Sequence, residues 1–158
     1  MRMAMECGWP GYLILFVGAA GIGVSLAAAV TAAMSAKFGT WSAGAALAVV
    51  GLILALGSGG TALGHMQTEK ALAAVNPDQA SLILHQGYLE SRECTELSLG
   101  MGVLPGIFAL LATGFALGRG GKVRWPLAVG AILALVALAG AVATVVAPLP
   151  GKAMDPDR

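Results

Sequence analysis

The chain has 158 residues, of which 58% are hydrophobic and 11% charged, with a formal net charge of +1. An ordinary soluble domain carries about 25% charged residues, so this composition argues against one. It also argues against a nucleic-acid binder, because the sequence has neither a basic run nor aromatic-basic interleaving.

The charges are segregated. No Asp, Glu, Lys or Arg occurs from Cys7 to Ala36, Phe38 to Thr68, Leu97 to Gly118 or Trp125 to Gly151. Each run reaches the roughly 20 residues that a helix needs to cross hydrocarbon. None shows strand-like alternation, so helices are the way to satisfy the backbone in lipid. The expectation is an all-α, polytopic membrane protein, a single domain of four transmembrane helices with the second and third extended beyond the bilayer.

In chain order, Trp9, Pro10 and Tyr12 suit an interfacial start to a first helix over about 10–34. A cleavable signal competes for this segment, but the run is long for one, which favours an uncleaved span. The stretch Ser35 to Trp41 reads as a short linker containing Lys37 and Gly39, making the first two helices an antiparallel hairpin. The second helix is expected over about 42–74. Asn76-Pro77-Asp78 marks a restart, with Asn76 as cap and Pro77 in the first turn of a long helix over about 77–118. Pro105 lies inside that helix and is expected to kink it. A tight loop containing Gly118, Arg119 and Lys122 precedes a fourth helix over about 123–147, and a polar tail follows over 148–158.

Lys37, Arg119, Lys122 and Arg124 sit in or beside the two short loops, whereas every Asp and Glu belongs to the termini or the central segment. This bias predicts both termini outside and the two short loops in the cytoplasm. Cys7 and Cys94 fit no metal pattern. They read as small packing residues; the topology places both toward the outer side, which leaves a disulfide open.

Gly60-xxx-Gly64, Gly102-xxx-Gly106 and Gly114-xxx-Gly118 each place small residues one turn apart, which permits close helix approach. Packing within one bundle accounts for any single motif. Several such motifs, with abundant alanine, point to a homo-oligomer.

Few residues could carry chemistry. Thr61, His65 and Glu69 fall at four-residue steps on one helical stripe, and such a stripe could relay a proton or cation. The simpler reading has His65 and Glu69 already in solvent, with Thr61 deeper and bonded back to its own helix. Glu90, Glu93 and Glu96 share about a third of the next helix's circumference, while Thr95 points roughly the other way. A solvated acidic face with Arg92 pairing Glu96 is the simpler account. His65 and His85 invite a metal or haem reading, but their spacing matches no ligand motif. No nucleophile elbow, Walker loop or catalytic pair occurs, so no enzymatic activity and no cofactor are expected.

Two stretches, Gly60-Thr61-Ala62-Leu63-Gly64-His65-Met66 and Gly87-Tyr88-Leu89-Glu90 with Thr95 beyond, resemble the core of the MotA/TolQ/ExbB proton-channel family. Gly60, Thr61, Gly64 and Met66 match its first motif. Gly87, Glu90 and Thr95 match the spacing of its second, and Pro105 falls one residue late. The resemblance covers about 45–117. It implies a proton or sodium channel subunit of the bacterial inner membrane, in five copies around single-span partners of the ExbD/TolR/MotB type. It also implies that Thr61 and Thr95 line the ion path and that the partner supplies the membrane carboxylate; His65, Glu69 and Glu90 are the further ion-path candidates among the residues. The chain departs from the family in lacking a large domain between its first two spans, in having a fourth span after the matched region, and in carrying Arg92, Glu93 and Glu96 within the second motif. Two other readings are a non-conducting structural or assembly subunit and a metal- or haem-binding membrane protein using His65 and His85.

Overall fold

A computed structural model describes residues 7–120 and 124–147. Among these residues there are four α-helices and no strand: α1 (Trp9–Met34), α2 (Ala36–Leu72), α3 (Pro77–Gly118) and α4 (Trp125–Val146). All four are long and apolar enough to cross a bilayer, so the chain is an all-α, multi-pass membrane protein. The expected polar tail over 148–158 and the loop residue Lys122 lie outside the described residues.

Proline starts three of the helices: Pro10, Pro77 and Pro126 each occupy the first turn, where a missing N–H costs nothing. Asn76 holds the N-cap position of α3, yet its side chain makes no capping hydrogen bond. The expected linker over 35–41 is instead almost entirely helical. Only Ser35 leaves the helical region, at φ −145° and ψ 119°, and α2 begins at Ala36. Nothing in that stretch obliges the helix to stop, and Gly39 suits the tight corner. A Cβ at Gly39 would stand 2.9 Å from the Ala32 Cα, so the α1–α2 crossing needs a glycine there. Pro105 lies inside α3, which continues on both sides of it.

The helices differ in length. At about 1.5 Å per residue, α4, with 22 residues, runs about 33 Å, close to the hydrocarbon thickness, whereas α2, with 37, runs about 55 Å and α3, with 42, about 63 Å. Aromatic side chains mark the levels. Trp41 and Trp125 meet edge to face at 5.4 Å at one end, and exposed Trp9 and Tyr12 mark the other. From Trp41 the rise to Thr61 is about 30 Å, one hydrocarbon thickness. Thr61 therefore sits at the Trp9-side edge of the apolar layer, not deep within it. The rest of α2 and the first half of α3 overhang the membrane as a two-helix stalk.

Helix α2 is the centre of the bundle and packs against the other three. Helix α3 also packs on α1, while α4 leans on α2 and scarcely touches α3. Toward the Trp41 end the core is an alanine cluster that includes Ala28, Ala32, Ala43, Ala46, Ala109 and Ala112. Toward the Trp9 end it is Ile14 with Cys7 and Cys94.

Candidate functional site: a hydroxyl seam between three helices

Small residues on α2 and α3 mesh in an antiparallel ladder. Gly57 faces Ser98, Gly60 faces Cys94, Gly64 faces Ser91, and Gly87 on α3 faces Thr68 on α2. At each rung a glycine on one helix opposes a small side chain on the other, so the backbones approach closely without hydrophobic driving force. Thr61 and Thr95 occupy the middle of the ladder and are 1% and 0% exposed.

The threonines bond across helices. Thr61 Oγ1 donates to the Ser91 carbonyl at 2.8 Å and lies 2.7 Å from Thr95 Oγ1. Thr95 Oγ1 lies 3.1 Å from Thr144 Oγ1 on α4, and Thr144 Oγ1 donates to the Ala141 carbonyl at 2.8 Å. Three hydroxyls thus link α2, α3 and α4. The chain ends on a carbonyl at both sides, and an amide carbonyl accepts a proton bond without passing a proton on. With Thr61 and Thr144 donating to those carbonyls, the single proton of Thr95 serves one neighbour at a time. The expected back-bond of Thr61 to its own helix is replaced by this cross-helix pair.

A disulfide joins Cys7 to Cys94 and ties the start of α1 to α3 beside the ladder. The cysteines are therefore not merely packing residues. Gly8, at φ 72°, makes the turn between the bridge and Trp9. Outside the bridge lies a cleft of about 230 Å³, lined among others by Trp9, Gln67, Thr68, Glu90 and Ser91.

The stripe expected from Thr61 through His65 to Glu69 divides. Thr61 faces the seam, whereas the His65 ring stacks on Tyr88 of α3 at 3.9 Å and 12°. Tyr88 Oη donates to Glu69 Oε1 at 2.9 Å. These contacts knit the stalk together and do not continue the hydroxyl chain. Glu90 is exposed and accepts from Gln86 Nε2 at 3.1 Å, and Arg92 Nε lies 3.6 Å from Glu96 Oε1. Among the described residues no group of three His, Cys, Asp or Glu side chains converges on a metal-sized site.

The glycine motifs also divide. Gly60 and Gly64 belong to the ladder. A Cβ at Gly102 would meet only Leu54, and at Gly106, Gly114 or Gly118 it would meet nothing within 4 Å. These last three glycines do not pack against another helix of the same chain. Sequence reasoning missed Thr144, whose signal was a lone hydroxyl near the end of the most apolar span. It also missed Gly44, Gly51 and Gly130, which let the α2 and α4 backbones touch. Their spacing along α2 is two turns, not one. At the Trp41 end, Ser25 and Thr40 hydroxyls are buried without a hydrogen-bond partner.

No family model, curated protein or solved structure matches this chain at a significant level, so nothing in these comparisons identifies a MotA/TolQ/ExbB relationship.

Proposed function

We propose that this chain is a non-conducting structural or assembly subunit of a membrane complex, a clamped four-helix platform that holds the α2–α3 stalk clear of the bilayer. The observation that carries this reading is the termination of the hydroxyl chain. Thr61, Thr95 and Thr144 satisfy one another and end on the carbonyls of Ser91 and Ala141. A proton relay needs groups that both accept and donate along its length, and amide carbonyls do not. Beyond the seam the bundle closes on Ile14 and Ile53, both fully buried. No catalytic step and no cofactor are assigned to it.

The membrane is proposed to be a bacterial inner membrane with the termini outside the cytoplasm. Two features support that placement. A disulfide persists in an oxidising compartment, and Cys7–Cys94 lies at the Trp9 end. Arg119 and Arg124 lie at the opposite end, where cytoplasmic loops collect positive charge.

Dye-reported proton flux in vesicles containing the purified protein tests the reading. Wild type is expected to leak no faster than empty vesicles, with Thr61→Val and Thr95→Val indistinguishable from it. A wild-type flux abolished by either substitution overturns the proposal.

One observation favours a second reading, a channel subunit of MotA/TolQ/ExbB type conducting protons or sodium. Thr61 and Thr95 are brought together beneath a polar cleft, and Gly106, Gly114 and Gly118 leave an open small-residue face for further copies and a single-span partner. Oligomeric state in native membranes separates the two readings: a fivefold ring supports the channel, and a monomer removes it.

A further inference from the structure

The cleft outside the Cys7–Cys94 bridge holds an unbalanced set of polar groups. Gln67, Thr68, Glu90 and Ser91 line it together with the exposed Trp9. Both hydroxyls have already used their protons. Thr68 Oγ1 donates to the Gly64 carbonyl at 2.9 Å, and Ser91 Oγ donates to the Tyr88 carbonyl at 3.0 Å. A hydroxyl carries one proton and two lone pairs, so each oxygen has only acceptor capacity left. The Glu90 carboxylate accepts and does not donate; Gln86 Nε2 occupies one of its oxygens at 3.1 Å and leaves the other. Among the described residues no Lys, Arg or His lines the cleft, and Glu90 has no salt-bridge partner.

This residual set selects the ligand. Unused lone pairs around one carboxylate call for a group that is rich in donors and positively charged. An anion would face Glu90 with no cation to offset it. A calcium ion takes roughly six to eight oxygen ligands, commonly from several carboxylates, and finds a single carboxylate here. A primary ammonium carries three N–H donors, one charge and no acceptor, which complements the set. The indole of Trp9 is the side chain that attracts cations most strongly through its ring. At about 230 Å³ the cleft is smaller than the roughly 300–1,000 Å³ of pockets that enclose drug-sized ligands, so it suits a small amine or a headgroup.

The cleft is open to two sources. Its α2 lining starts at the edge of the apolar layer, at Gly60, and rises about 12 Å to Thr68. Toward the stalk it shares Gln67, Thr68 and Glu90 with a second hollow between α2 and α3. Toward the lipid it shares Trp9 and Leu63 with an apolar groove between α1 and α2 that reaches Leu13 and Leu56. A water-borne amine and the amine of a lipid headgroup can both arrive there.

We propose that this cleft is a binding site for a primary ammonium group, held by the Glu90 carboxylate and the lone pairs of Thr68 and Ser91. The site depends on the bridge and the α2–α3 ladder and not on whether the chain conducts ions.

Saturation-transfer NMR with n-butylammonium on the full chain in maltoside micelles tests it, with empty micelles as the blank. Wild type is expected to saturate with a Kd on the order of 1 mM. Glu90→Gln changes an exposed side chain, so the fold should persist, and it should weaken binding about tenfold or more by removing the charge-assisted bond. Thr68→Val keeps the shape and should weaken binding about threefold. Glu96→Gln removes the same charge outside the cleft and should leave binding unchanged. Tetramethylammonium, charged but without an N–H donor, should bind about tenfold more weakly than butylammonium. Absence of saturation in wild type overturns the proposal. So do equal losses in Glu90→Gln and Glu96→Gln, or equal binding of the two cations, because either reduces the effect to general charge attraction. The same titration in bilayers separates the sources. Phosphatidylethanolamine that blocks butylammonium where phosphatidylcholine does not assigns the site to a lipid headgroup, and unimpeded binding in both assigns it to a soluble amine.

Discussion

The two ends of this bundle solve one problem in different ways. Within lipid, apolar surface gives helices no reason to prefer one another over the surrounding chains, so association rests on close contact and on polar bonds. At the Trp9 end, directional bonds dominate: a disulfide, a glycine-to-small-residue ladder and three hydroxyls in series. At the Trp41 end, no hydroxyl bridges three helices. An alanine cluster and backbone contact at Gly44 and Gly130 hold the helices together. The Trp9 end is where two helices leave the membrane, and the bonds lie where that stalk could otherwise splay. The alanine end carries no such load and depends mainly on shape, with one long bond across helices, from Ser42 Oγ to the Ala28 carbonyl at 3.4 Å.

Substitutions can break this contrast. The largest effect is expected at the shape-dependent end. In Gly130→Leu the new side chain meets the rigid Gly44 backbone, which has no flexible part to yield. It should cost about 3 kcal/mol in detergent unfolding and separate Trp41 from Trp125, a change readable in tryptophan fluorescence. Removing the bridge at the other end, as Cys7→Ser with Cys94→Ser, should cost about 2–3 kcal/mol in the same assay, with the Trp41–Trp125 contact intact. Thr61→Val keeps the volume but strips the bonds to Ser91 and Thr95, an expected loss of about 1–2 kcal/mol. If that variant is as stable as wild type, the seam is not what holds the stalk end. The smallest effect belongs to Gly114→Ala, where the added methyl meets open space. Monomer stability should change by less than about 1 kcal/mol, and any change should be a gain. A marked loss seen only in an oligomeric form would identify the Gly114 face as a contact between copies.

Much of this architecture could be read from the residues, and the rest was hidden for physical reasons. Uncharged runs such as Leu97–Gly118 and Trp125–Gly151 announce the spans, because charge is costly in hydrocarbon. Thr61 and Thr95 stood out because a hydroxyl in an apolar run needs a partner. That each was the other's partner required the α2–α3 register, which the mirrored spacing of Gly57, Gly60 and Gly64 against Ser91, Cys94 and Ser98 encodes on inspection. The Cys7–Cys94 bridge spans 87 positions and depends on where α1 begins, so local pattern does not reveal it. No charge interrupts α2 until Glu69, so the uncharged run alone does not mark where α2 leaves the bilayer. The tryptophans mark the edge better than the charges do. The turn at Ser35 was misplaced because a glycine and a lysine between two apolar runs look like a loop, yet neither obliges a helix to stop.

The excess length of α2 and α3 has an electrostatic consequence. From Ala62 to Glu96 the sequence holds five acidic residues against two basic ones. The segment that clears the bilayer is therefore an anionic rod about 20 Å tall. Phospholipid surfaces are themselves commonly negative, and at physiological salt repulsion reaches about 8 Å. Such a rod resists lying down on the headgroups and stands away from them, so that a water-soluble cationic protein would meet it first and the lipid second.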